Sequence, residues 1–283
     1  MDYGKFKQGT IIHGLRSEQY PDAPCSAVII TAECDIAQCK VSKFYYLTAM
    51  DVRTWMTTEG LAYTAAQAQL SELKSVINDY GKNVPGLSEY KNAAIVDLDG
   101  IIEDLSTLST DKTAQKALQR LKGAKKEYDL SIKTDREVEA LFAKLENKII
   151  GNIKSVIDGS LIQYFFLPRI SYADPSEQKP DDAKDGLIVN FQDIGFFDRH
   201  TVSMIEQQKM DYDKLSEEER TKYGKIFFLE KPNDMIFPEE FIHPPYREWL
   251  MQSFSFAFIR IGVEFDKSAA KTYWENELKE PAQ

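Results

Sequence analysis

Three thiols, two carboxylates and a hydroxyl crowd one short stretch of this chain. Cys25 precedes the run SAVIITAECDIAQCK, Ser26 to Lys40, in which four apolar residues give way to Thr31, Glu33, Cys34, Asp35 and Cys39. Four chemistries compete for these residues. Cys25, Cys34 and Cys39 with His13 supply four metal donors, but the spacing Cys-x8-Cys-x4-Cys lacks the tight pairs of structural zinc sites. Cys25 and Cys34 also flank a predicted strand, so the sequence implies no metal. A thiol nucleophile at Cys34 needs a base, and only His13, His200 and His243 exist. Glu33 and Asp35 beside it disfavour the thiolate. A structural reading fits better: a small apolar thiol closes a buried strand, and Asp35 caps the turn or the short run IAQCK. A binding reading has Glu33 and Asp35 present acidic groups to a partner. Arg247 and Glu248 in PPYREW open a predicted helix, as a surface pair or an anion site at its N-terminus.

Three segments must position these residues. In 1–57, GTIIHGL, SAVIITA and KFYYLTAM read as strands joined by compact loops, which predicts an antiparallel sheet or small barrel. In 58–157 the only proline is Pro85, and Lys and Arg number fourteen against fifteen Asp and Glu, so the acidity lies elsewhere. Tyr63, Ala66, Leu70, Leu73, Ile77 and Tyr80 alternate three and four apart, the seam of a packed helix. Ile95, Leu98, Ile102 and Leu105 resume that spacing, then Ala114, Leu118 and Leu121, then Val138, Leu141, Leu145, Ile149 and Val156. In 158–283, SLIQYFFLP, GLIVNF and KIFFLE read as strands. TVSMIEQQKM reads as a short helix. LSEEERTKYG reads as another, with Ser216 and Glu219 as a capping box. The run from Tyr246 to Ile261 carries a wide apolar face suited to packing on the sheet. Strands on both sides of the helical segment predict one β-rich domain, 1–57 with 158–283, holding 58–157 as an antiparallel, coiled-coil-like insertion.

Composition sets outer bounds. With 283 residues, 43% hydrophobic and 12% aromatic, the chain can bury a substantial core. A net charge of −10 repels phosphate backbones, so direct nucleic-acid binding is not expected and a basic protein partner is. Three cysteines imply no disulfide framework and fit a reducing compartment. The N-terminus lacks the apolar core of a signal peptide, and no apolar stretch suits a bilayer. The expected address is the cytoplasm, without membrane contact.

QGTIIHG, a polar loop, APCSAVIIT and then KFYYLTAM together resemble the opening of the MazF/PemK-type toxin barrel, over about 45 residues. The resemblance implies an α+β fold: an SH3-like antiparallel barrel, here interrupted by the helical insertion and closed by a C-terminal helix on the sheet. In that family an Arg opening the second strand and a Ser/Thr on the third support metal-independent cleavage of single-stranded RNA, usually by a dimer that a partner neutralises. Here Cys25 stands in place of the Arg and Ser26 in place of a Pro. Without a cation or metal, phosphoryl transfer lacks its main electrostatic support. The resemblance therefore implies a barrel without the nuclease: a non-catalytic regulatory subunit, free of cofactors, that restrains a basic protein partner in a prokaryotic defence or toxin–antitoxin setting. Glu33, Asp35, Arg247 and Glu248 are its candidate contacts, with the acidic pair at the barrel mouth. The polar loop Tyr172 to Gly186, with Asp174, Lys179 and Asp182, is a candidate for regulated proteolysis. The alternative is an endoribonuclease using Arg16 and Thr48. Homo-oligomerisation through the helical arm is a third reading.

Overall fold

The computed structural model describes residues 6–84, 86–92, 98–107, 111–172, 179, 182 and 185–259. Its centre is one six-stranded antiparallel sheet, curled into a half-barrel in an α+β fold. Strands β1 (Thr10–Arg16), β2 (Pro24–Ile29) and β3 (Lys43–Asp51) come first in the chain. β4 (Tyr164–Pro168), β5 (Gly186–Asp198) and β6 (Pro238–Phe241) follow a helical stretch. The spatial order is β4-β5-β3-β2-β1-β6, so the C-terminal strands flank the N-terminal three on both sides.

The sheet buries both faces, as the unbroken apolar runs of β2 and β5 require. One face carries Ile12, Ala27, Ile29, Phe44, Met50, Ile188 and Phe197. It is covered by α2 (Val52–Thr57), the start of α3 (Glu59–Tyr80), α6 (Asp135–Ile157) and α7 (Arg199–Glu206), through Trp55, Leu61, Leu145, Ile149 and Ile205. The other face carries Ile11, Val28, Leu47, Ala49 and Val189 and packs against Leu250 and Phe254 of α9 (Tyr246–Ile259). Trp249 of α9 meets Phe165 edge-on at 4.9 Å. The end of α3 joins α4 (Leu98–Thr107) and α5 (Lys112–Tyr128) in a separate small core around Leu73, Ile77, Leu105 and Leu121.

Several expectations are met in place. Leu141, Leu145, Ile149 and Val156 of α6 are buried at their expected spacing. In α8 (Glu217–Tyr223) the Glu219 amide donates to Ser216 Oγ at 3.3 Å, and the Ser216 amide donates to Glu219 Oε2 at 2.9 Å. Others need correction. Ala66 is exposed and Tyr63 and Leu70 are only half-buried, because α3 packs on the sheet and α6 through Leu61, Thr64, Ala65 and Ala68 before turning Leu73, Val76 and Ile77 to α5. One helix serving two cores cannot keep a single seam. KIFFLE is not a strand, since only Phe227 bridges to Leu15. Instead the run feeds Phe227 and Leu229 into the core. Asp35 caps nothing. The strand is continued by α1 (Glu33–Ala37), whose N-cap is Ala32 with no side-chain bond. Ile95 and Ile261 of the apolar patterns lie outside the described residues.

The link between β5 and α7 is set by one carboxylate. Asp198 accepts from the Thr201 amide at 2.6 Å, which satisfies an amide the helix cannot. Asp198→Ala should cost about 1 kcal/mol in urea denaturation, and Asp198→Asn much less. Equal losses for the two variants would show that the cap is not the reason.

Candidate functional site

The candidate contacts are brought together in part. Arg247, at the start of α9, reaches back to Glu33 of α1, with Nη1 at 3.2 Å from Oε2. It also pairs with Glu248 at 2.7 Å. Its stem crosses Gly9 (φ +91°), where a Cβ would fall 3.2 Å from Arg247 Cδ. The Arg247–Glu248 pair is thus a surface ion pair extended to Glu33, and the guanidinium is committed to two carboxylates. Asp35 does not join them; its carboxylate accepts from the Cys34 thiol at 3.8 Å.

The cysteines diverge. Cys25 is buried, whereas Cys34 and Cys39 are exposed, and among the described residues none of the three forms a disulfide. Burial pushes the Cys25 thiol up to about 12, which makes it inert as a nucleophile. Among the described residues no group of three His, Cys, Asp or Glu side chains is placed to hold a metal.

Arg16 and Thr48 are kept apart. Arg16 pairs with Glu230 and lies over the Phe228 ring at 4.3 Å. Thr48 is 3% exposed. Arg16 opposes Pro24 and Thr48 opposes Ala27 across β2, so two strand spacings and a three-residue offset separate them by roughly 14 Å. In the polar loop, Asp182 accepts from the Lys179 amide at 2.6 Å and lies 4.0 Å from Arg169. Asp174 lies outside the described residues.

Two polar constellations were not legible in the sequence. The first is internal. Glu59, 7% exposed, opens α3 beneath the sheet. Its Oε1 accepts from Tyr164 Oη at 3.0 Å and Asn190 Nδ2 at 2.6 Å. Burial pushes its carboxyl up to about 7, with a further push from Asp193, against the two hydrogen bonds. Sealed from solvent, this cluster ties α3 to β4 and β5 and is a structural pin.

The second is open. His13 and Ser26 are direct cross-strand partners on β1 and β2, and Glu240 comes from β6. His13 Nδ1 lies 2.7 Å from Ser26 Oγ, and Nε2 lies 2.9 Å from Glu240 Oε2. The three line a cleft of about 330 Å³ together with Asp51, Arg169, Tyr172 and Asp185. The cleft sits on the sheet face that α9 covers further along, and no α9 residue lines it. A different, apolar cleft of about 400 Å³ lies between the end of α6, β4 and α9. Ile157, Ile162, Phe166, Trp249 and Phe256 line it, with Trp249 50% and Phe256 66% exposed.

No family model matches this chain, and no curated protein or solved structure matches it either. The fold and these clefts are therefore the grounds for a functional reading. Among the described residues no helix is long and apolar enough to cross a membrane.

Proposed function

We propose that this chain is a regulatory, protein-binding subunit that docks and restrains a basic protein partner. The observation that carries the reading is the apolar cleft between α6, β4 and α9. Large apolar side chains gathered in one concave, exposed patch are a feature of protein interfaces, and Trp is the residue most enriched among their energetic anchors. The chain's net charge of −10 favours a basic partner by steering its approach. Glu33, Asp35 and Glu248 supply acidic groups on the surface, with Arg247 orienting two of them. In this reading the sheet is a MazF-like barrel turned platform, 58–157 is an inserted arm, and the 172–186 loop is where cleavage would release the partner. The adjacency of β1, β2 and β3 in one antiparallel sheet supports it.

The ribonuclease alternative is weakened by the separation of Arg16 from Thr48 and by the commitment of Arg16 to Glu230. Purification of the chain from native cells tests the two together. A stoichiometric basic protein should co-purify with wild type and be lost, by tenfold or more, from a Trp249→Ala/Phe256→Ser variant that still folds. A chain that co-purifies with nothing and cleaves single-stranded RNA without metal would replace this reading with the nuclease.

A further inference from the structure

We propose that Ser26, His13 and Glu240 form a nucleophile–base–carboxylate relay that hydrolyses small carboxylic esters in the open polar cleft. This site is separate from the docking cleft and does not depend on it.

The relay is assembled by the sheet itself. His13 and Ser26 face each other across β1 and β2, and alternation along each strand turns both toward the face that also carries Ile11 and Val28. Glu240 reaches the same face from β6, two residues before buried Ile242. A bulge follows His13, where the β1–β2 register shifts. Gly14 occupies it at φ +79°, and a Cβ there would come within 2.8 Å of Ile236. Bulges re-aim side chains at sheet edges and beside reactive sites.

The hydrogen bonds set the proton positions. A Glu240 carboxylate only accepts, so His13 Nε2 carries the proton and donates it across the 2.9 Å contact. In the neutral imidazole Nδ1 is then the lone pair facing Ser26 Oγ at 2.7 Å. This is a serine with a base in reach and a third group fixing the base's tautomer, which is the arrangement nucleophilic catalysis needs. The two ring nitrogens are exchanged relative to the commoner serine hydrolases, with no change in the chemistry. Ser26 is 4% exposed overall and lines the cleft, so the cleft is its route to a substrate.

The step balances as follows. Ser26 Oγ attacks the ester carbonyl while its proton passes to His13 Nδ1, and the carbonyl π pair moves onto oxygen. Arg169 lines the same cleft, with its side chain 52% exposed and its Nε 4.0 Å from Asp182. It is the cation available to that oxyanion. Collapse breaks the bond to the leaving alkoxide, which takes the proton from His13. Water then attacks the acyl-serine, losing its proton to His13; collapse breaks the bond to Ser26 Oγ, which takes that proton back, and the acid is released. Asp51, Asp185 and Glu240 outnumber Arg169 in the cleft, so neutral or cationic acyl groups fit and anionic ones do not. A volume of about 330 Å³ admits only a small ligand.

A fluorophosphonate probe tests the relay on the full chain. An activated serine displaces fluoride, forming an Oγ–P bond while His13 takes the proton. Mass spectrometry should find the adduct on Ser26. His13→Ala should slow labelling about a hundredfold or more, Glu240→Gln should slow it less, and Ser26→Ala should abolish it. Hydrolysis of p-nitrophenyl acetate should fall in the same order. Each variant is checked for folding by circular dichroism, and Glu240→Gln serves if His13→Ala misfolds. Folded wild type with no adduct at Ser26, or labelling indifferent to both His13→Ala and Glu240→Gln, would reduce the triad to a polar ladder between strands.

Discussion

Glu59→Gln is expected to stabilise this protein by about 3 kcal/mol at pH 8 and to change little at pH 4. The effect arises because Glu59 is buried and its carboxyl is pushed from 4.5 up to about 7. Below pH 4.5 the folded and unfolded chains both hold the proton, and the stability this group allows is fully present. As pH rises from 4.5 toward 7, the unfolded chain gives the proton up and the folded chain does not. Stability then falls by about 1.4 kcal/mol per pH unit. Above that window both states are charged and the loss is complete. Glutamine is neutral throughout. Its carbonyl oxygen can still accept from Tyr164 and Asn190, which now meet Glu59 Oε1 at 3.0 and 2.6 Å. Urea denaturation of both proteins between pH 4 and 8 measures the difference. Parallel curves would mean that Glu59 titrates as an ordinary carboxylate and that the cluster is wetter than its burial indicates.

This cluster also shows where sequence reading stops. Glu59 stands at the start of a helical pattern, where an acidic residue is ordinary. Nothing local says that it will be covered by β4 and β5, more than a hundred residues away. His13 and Ser26 present the same difficulty. Both were visible, His13 as a metal donor or base and Ser26 as a substitute for proline. Their contact depends on a hairpin register that the 17–23 connection does not encode in any simple turn. Glu240 lies on a four-residue strand beginning with Pro238, and a proline there argues against a strand unless it lies at an edge, as β6 does. What was legible followed from local rules. β1, β2 and β3 announce themselves by runs of β-branched and aromatic residues. α6 keeps one apolar stripe because it faces one core. α8 carries its cap in its sequence. α3 departs from its sequence pattern in its first half because an alanine-rich helix offers nearly equal faces, and tertiary packing chooses between them.

Trp55 should carry the largest single share of stability of any side chain joining helix to sheet. It is fully buried in α2 and meets Tyr164 of β4 edge-on at 5.4 Å, the same tyrosine that holds Glu59. Trp55→Ala is expected to cost about 3–5 kcal/mol, the range for deleting a large core aromatic. Trp55→Phe should cost much less, because the indole Nε1 is buried without a hydrogen-bond partner and its loss leaves no acceptor unpaired. Gly60 sharpens the test. A Cβ at Gly60 would fall 2.5 Å from Trp55 Cε3 and Cζ3 and 2.8 Å from the Trp55 carbonyl oxygen. Gly60→Ala should therefore overpack the site and cost about 1–3 kcal/mol. With Trp55 already replaced by alanine, only the carbonyl clash remains, and alanine gains helix propensity over glycine. The penalty of Gly60→Ala should then shrink, a coupling that a double-mutant cycle in urea measures directly. Strict additivity would show that the ring and the helix start do not press on one another, and that the sheet is held to the helices by the broader apolar layer of α6 instead.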